Sequence, residues 1–235
     1  MMRIAIVAAM PGELKPLVRG WRYELRNRVD IWTRRLDEFE WIAACAGAGQ
    51  QAATRAFAAV EESGAVSMAI STGWAGALAE RFEPGHSYRI SGVIDQQTGE
   101  RFRTAGCEEE LWLVTSPRVA NAAEKQRLAM AYDAGLVDME AAAVARLAAM
   151  RGIPFYGIKG VSDGFYDKLP DFNLFLGVKG ELRLARLILF VLPRPWLWPA
   201  LIRMGENSKR ASQAIAKDLL DLLGKQGKIR KRNGD

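Results

Sequence analysis

Histidine occurs once and cysteine twice in the 235 residues. A centre built from several histidines is excluded by count, and a histidine-based triad would rest on His86 alone, which sits in the turn-like stretch FEPGHSYRI. Cys45 and Cys107 lie far apart with no companion ligands, so neither a disulfide framework nor a metal site is expected. Stretches rich in Gly and Ser that would mark a linker are missing, and so is any internal repeat; one domain suffices for this length. The amino-terminal apolar run, residues 4–10, stops at Pro11-Gly12-Glu13 without an Ala-x-Ala site, which fits a first strand entering a helix rather than a secretory signal. The default expectation is a cytoplasmic protein.

What is present is a core-forming composition, 49% apolar and 26% charged, incompatible with a disordered chain. Much of the +6 net charge falls in 224–235, GKQGKIRKRNGD, expected to be a solvated, disordered tail after a domain spanning 1–223. No aromatic residues interleave that tail, so nucleic acid is not an expected partner. Short apolar runs predict strands over 3–9, 23–26, 31–35, 41–46, 66–71, 88–95, 111–115 and 154–161. Helical spacing predicts helices over 11–18, 50–63, 120–132 and 139–150 and in a long carboxyl-terminal region. Pro11 suits a first helical position and Gly20 an exit, while Ala53, Phe57 and Val60 share one helix face that Gly64 terminates. Hairpin-like strands mixed with βα units predict a single α/β domain: a mixed, twisted central sheet flanked by helices.

Four places concentrate chemistry. In PFYGIKGVSDGF, an apolar strand runs straight into Ser162-Asp163-Gly164; Asp163 either starts a turn or is an acid presented at a strand's carboxyl end, where open α/β sheets bind ligands. GLVDMEAAAVARLAAMRG puts Asp138 and Glu140 at a strand-to-helix junction, as a helix cap and first-turn acid or as a grip on a vicinal diol. Glu13 follows the first strand in the same way. If these strands are parallel, the three acids share one sheet edge. CAGAGQQA loosely matches a dinucleotide loop, Gly47-x-Gly49-x-x-Ala52, yet the run over 66–71 lacks the acid that should end the next strand, so no cofactor is expected. Its glycines argue instead for close approach of a backbone to something. ISTGWAGAL offers a second small-residue strand end, which is either a tight turn or a set of backbone donors for a ligand.

Together these segments resemble the nucleoside phosphorylase and nucleosidase superfamily, especially methylthioadenosine/S-adenosylhomocysteine nucleosidases. VDMEAAAVARLA followed by GIPFYGIKGVSD carries the likeness, with RIAIVAAMPGEL, CAGAGQQAA and STGWAGAL in the same order; the four motifs cover residues 3–163. The resemblance implies that Asp163 is a general acid for purine N7, oriented by Ser162. It implies that Glu140 holds the ribose hydroxyls beside Met139, that Glu13 polarises the attacking water, and that Ala75 and Gly76 line the nucleoside site. It also implies a homodimer and, as the small-molecule partner, a purine nucleoside modified at the 5′ carbon, with a substituent either small or large and apolar. Methylthioadenosine, S-adenosylhomocysteine and an adenosylated hopanoid lipid, the substrate of one branch, are the examples.

The departures are specific. Lys159 stands where the family has a water-binding arginine, replacing a fork with a point charge. Trp74 replaces a small residue, near the water or the base, where it could take over stacking; the loop TSPRVANAAEK offers no aromatic for that. Phosphorolysis, or nucleoside binding with reduced turnover, stays open beside hydrolysis, and a dehydrogenase is the third class. Outside the resemblance lies 182–204, LRLARLILFVLPRPWLWPALIRM, too short and too broken by proline to span a bilayer. It is a core helix, an oligomer contact or an interfacial element making peripheral membrane contact through Trp196, Trp198 and its arginines.

Overall fold

The computed structural model describes residues 1–107, 109–177 and 179–233, with side chains through Gly224. Its centre is the sheet the apolar runs predict. Four strands run parallel in the order β4 (Phe39–Cys45), β1 (Met2–Ala8), β5 (Met68–Ala77) and β11 (Phe155–Asp163). The hairpin strands β2 (Arg22–Arg26) and β3 (Val29–Leu36) add antiparallel beyond β4, as their alternation suggests. The stretch expected as one strand over 88–95 is two. Its first part, β6 (Ser87–Arg89), pairs with β11; its second, β7 (Gly92–Asp95), pairs with β8 (Arg101–Arg103) and β9 (Trp112–Thr115). β10 (Leu136–Asp138) lies parallel to β9 and antiparallel to the end of β5.

The site arises from how β5 changes partners. β1 pairs with β5 only as far as Val7 opposite Ser71, and further along the same edge β10 brings Val137 opposite Gly76. Between these two neighbours the sheet splays open at Trp74 and Ala75, while β11 holds the other edge. Such a switch point leaves a crevice at strand carboxyl ends.

Helices cover both faces. α2 (Gln50–Glu61) and α4 (Ala141–Met150) bury Ala53, Phe57, Val60, Val144 and Ala148 on one face. α6 (Trp198–Asn233) buries Ile215, Leu219 and Leu222 on the other, with Leu14, Leu17 and Trp21. α1 is shorter than expected, Pro11–Leu14, because Pro16 lacks the N–H that another turn would need. α3 (Ala122–Tyr132) is capped by Asn121, whose side chain accepts from the Glu124 N–H at 3.0 Å.

Two carboxyl-terminal expectations change. α6 begins at Trp198 and runs through the basic segment to Asn233; Gly234 and Asp235, the end of the expected tail, lie outside the described residues. Within 182–204, α5 (Leu184–Val191) has no fully buried side chain, only Leu187, Phe190 and Val191 being half-buried and Phe190 meeting Phe175, so it is not the core helix that was one expectation. The chain turns by 112° between α5 and the helical run that starts at Pro195.

Candidate active site

The three acids reach one cavity of about 200 Å³ at the splayed strands. Each arrives by a different local device. Glu13 sits in the first turn after β1, where its Oε2 accepts from the backbone N–H of Ala9 (2.7 Å) and Met10 (2.9 Å), and its Oε1 from that of Trp74 (2.9 Å). This clamp needs Gly73: at φ +123° it bends β5 over the carboxylate, and a Cβ there would lie 2.9 Å from the Glu13 carboxyl carbon. Three donors occupy three of roughly four acceptor positions on a carboxylate, leaving one for a ligand. Burial pushes the Glu13 carboxyl above its ordinary range, opposed by those N–H donors and by the Lys159 charge.

Glu140 immediately precedes α4. Its Oε1 accepts from the Gly49 N–H at 2.6 Å and its Oε2 from the Met139 N–H at 3.2 Å. Burial first, and the neighbouring Asp138 charge second, push this carboxyl up to about 8. The Gly47–Gly49 loop thus serves Glu140, and the backbone that its glycines admit is the chain's own. A Cβ on Gly47 would lie 2.9 Å from the Gly180 backbone, and the Ala48 N–H donates to Gly180 O at 2.8 Å.

Asp163 is delivered by a bulge. Val161 pairs with Ala75 and Asp163 with the very next residue, Gly76, so Ser162 is extra. In a regular ladder Asp163, two residues after Val161, would share its core-facing side; the bulge re-aims it into the cavity. Ser162 Oγ donates to Asp163 Oδ1 at 2.6 Å. The other oxygen, Oδ2, receives the ammonium of Lys125, which also donates to Gly164 O at 2.7 Å. Lys125 is 2% exposed and lines the cavity, and sequence reading missed it. The available signal was its position three residues before Leu128, on the helix face that α3 buries.

Met139, Trp74, Ala75 and Gly76 also line this cavity. The Trp74 indole is pinned to α6, its Nε1 donating to Ser212 Oγ at 2.9 Å. Phe172, another residue missed, brings an aromatic ring from the turn before α5, and Arg118 stands at the rim. Lys159 is a correction. It does not line the cavity but lies fully buried behind it, its ammonium 2.8 Å from Asp138 Oδ2 and donating to Ser71 Oγ (3.0 Å) and Thr72 O (3.2 Å). Asp138, also held by Thr115 Oγ1 at 2.7 Å, accepts from the Ala141 N–H at 2.9 Å and starts α4. With its donors filled, Lys159 acts on Glu13 and Glu140 through charge rather than contact.

Beside this cavity opens an apolar groove of about 830 Å³ between α1, α5 and α6. Trp74, Phe172 and Met204 line both spaces.

This arrangement, acids at the ends of parallel strands and a carboxylate before α4, agrees with a sequence profile that matches residues 3–125 and 111–189. The chain belongs to the phosphorylase superfamily. Solved structures share its architecture at low identity. The 5′-methylthioadenosine/S-adenosylhomocysteine nucleosidase of Helicobacter pylori, solved with butyl-thio-DADMe-Immucillin-A, is 15% identical with a TM-score of 0.72, over 96% of this chain and 99% of its own. The Arabidopsis thaliana 5′-methylthioadenosine nucleosidase is 16% identical with a TM-score of 0.74, over 95% of each chain. The S-adenosylhomocysteine nucleosidase of Streptococcus pyogenes, in complex with 5-methylthiotubericidin, is 18% identical with a TM-score of 0.71, over 94% of this chain and 96% of its own. No curated protein matches the sequence.

Proposed function

We propose that this phosphorylase superfamily member is a purine nucleosidase that hydrolyses the N-glycosidic bond of a 5′-modified adenosine. The observation that carries the reading is the convergence of Glu13, Glu140 and Asp163 on one cavity. Water attacks C1′ while the C1′–N9 bond breaks with its electron pair going to the base. Glu13 takes a proton from the water through its free acceptor position, and its raised basicity suits that task. Glu140 accepts the ribose hydroxyls as positive charge grows on the sugar, with Met139 against the ring. The base leaves with a proton at N7, supplied through Asp163, whose carboxyl Ser162 orients. Phe172 and Trp74 are the aromatic surfaces available to the nucleoside.

The groove supports an apolar 5′ substituent larger than a methylthio group, of the lipid-nucleoside kind, because it joins the cavity at Trp74 and Met204. A dinucleotide cofactor has less support: the Gly47–Gly49 loop is occupied by Glu140 and by the Gly180 backbone. The superfamily resemblance supports a homodimer acting in the cytoplasm. The test is a panel of purine nucleosides, each assayed with and without phosphate and scored for free base and for ribose against ribose 1-phosphate. Hydrolysis requires ribose without phosphate. Ribose 1-phosphate would make the chain a phosphorylase, and binding without base release would leave it a nucleoside-binding protein.

A further inference from the structure

From Leu182 to Gly205 the chain has no acidic residue and four arginines, Arg183, Arg186, Arg194 and Arg203. In the same stretch large apolar side chains face outward: Leu189 is 72% exposed, Trp196 71% and Leu192 63%, with Ile188, Trp198 and Ile202 also open. An amphipathic helix of a soluble domain turns its apolar side inward, yet no side chain of α5 is fully buried, and only Leu187, Phe190 and Val191 are half-buried. The 112° turn after α5 sets two apolar arms on one corner of the molecule. Cations rim that corner: Arg183, Arg186 and Arg203 are exposed, and across the groove so are Lys15, Arg19 and Lys209. Arg194 is fixed by stacking 3.9 Å over the Phe190 ring. Among the described residues no single helix is long and apolar enough to cross a membrane.

A face that is both apolar and cationic selects its partner by charge. A second copy docking this face on itself would set the exposed Arg183, Arg186 and Arg203 against the same three, with exposed acids, Glu181 and Glu206, only at the ends of the segment, and like charges across an interface are unfavourable. An anionic leaflet offers the complement: phosphates for the arginines, hydrocarbon for Leu189 and Leu192, and an interfacial zone that favours tryptophan.

We propose that residues 182–204 dock the protein on an anionic lipid bilayer, laying α5 and the start of α6 in the headgroup region without spanning it. The groove opens under these helices, with Leu187, Val191 and Leu201 on its wall, and leads past Trp74 to the acids. Docking therefore sets the mouth of the site on the lipid. That last consequence rests on the nucleosidase reading; the docking itself does not.

The experiment is co-sedimentation of the full chain with phosphatidylcholine vesicles with and without phosphatidylglycerol, in low and high salt. The double variant Leu189→Ser/Trp196→Ser removes two side chains that line neither cavity. Binding is expected to require phosphatidylglycerol, to weaken with salt, and to fall at least about tenfold in the double variant. That variant should keep its rate on methylthioadenosine, which reports both folding and the soluble reaction. Equal or absent binding to the two vesicle types overturns the proposal. So does a dimer that the double variant converts to monomer without any vesicle affinity in the parent, which would assign the face to a second copy. Vesicle binding without glycosidic cleavage would refute the reaction and leave the docking standing; cleavage without vesicle binding would do the reverse.

Discussion

The ammonium of Lys125 and the hydroxyl of Ser162 occupy the two oxygens of the Asp163 carboxyl, one each. The group assigned to protonate the leaving base is therefore not a solitary acid. A proton reaching N7 through Oδ2 passes through an oxygen already hydrogen-bonded to an ammonium, so Lys125 can pass a proton to Asp163 as Asp163 gives one to the base.

Asp163→Asn should lower kcat by at least ~10²-fold, the usual scale for a general acid. It should also destabilise the fold, because it leaves a buried ammonium short of its counter-charge. Lys125→Met should cost about 3–5 kcal/mol of stability, as breaking a buried pair does. It should also lower kcat more than it raises KM and move the pH profile of kcat. In the double variant the stability losses should be less than additive. Urea unfolding of the four proteins with steady-state kinetics checks this; a Lys125→Met enzyme with parental kcat and pH profile would reduce the lysine to scaffolding.

Glu13→Gln should abolish hydrolysis while a ribose-containing inhibitor still binds. A glutamine oxygen can serve the Ala9 and Met10 N–H groups, but its amide then faces the Trp74 N–H, an unpaired donor costing ~1–3 kcal/mol. Gly73→Ala attacks the same clamp from the backbone, adding ~1–3 kcal/mol of strain and displacing the carboxylate. Its kcat should fall with KM little changed. Calorimetric titration with the inhibitor beside turnover separates these outcomes; phosphate-dependent cleavage surviving in Glu13→Gln would overturn the hydrolytic role.

Glu140 supplies a pH signature. Its carboxyl is pushed up to about 8 by burial and by Asp138, so the free protein carries a proton there below that pH and loses it above. Only the ionised form accepts two hydroxyls, so KM for a ribonucleoside should fall as pH rises toward about 8 and level off beyond it. Glu140→Gln should flatten that dependence and raise KM by about 10- to 100-fold, the worth of a hydrogen bond to a charged group. A 2′,3′-dideoxynucleoside should lack the dependence in the parent. A pH-independent KM in the parent would remove Glu140 from the sugar.

Much of the fold was legible from local pattern. Apolar runs of strand length, the Pro11 and Gly64 boundaries and the Ala53–Phe57–Val60 face need only neighbours a few residues away, and β4, β1, β11 and α2 occur close to where that pattern places them; β5, expected over 66–71, instead runs Met68–Ala77, and the added length carries Trp74, Ala75 and Gly76. Three acids each following a strand were legible too. Their meeting was not, because it depends on β1, β5 and β11 being parallel and on β5 exchanging β1 for β10, pairings between residues 59 to 87 apart in the chain. The two lysines mark the same boundary. A lysine in a charged helix and a lysine in an apolar strand carry no local sign of their counter-ions; long-range packing gives Lys125 to Asp163 and Lys159 to Asp138. The composition of 182–204 likewise determined that the segment is apolar and arginine-rich. Whether those side chains turn inward was decided by the tertiary structure, where α6 has already filled that face of the sheet and leaves α5 outside the core, with Phe190 meeting Phe175 and Leu187 and Val191 walling the groove.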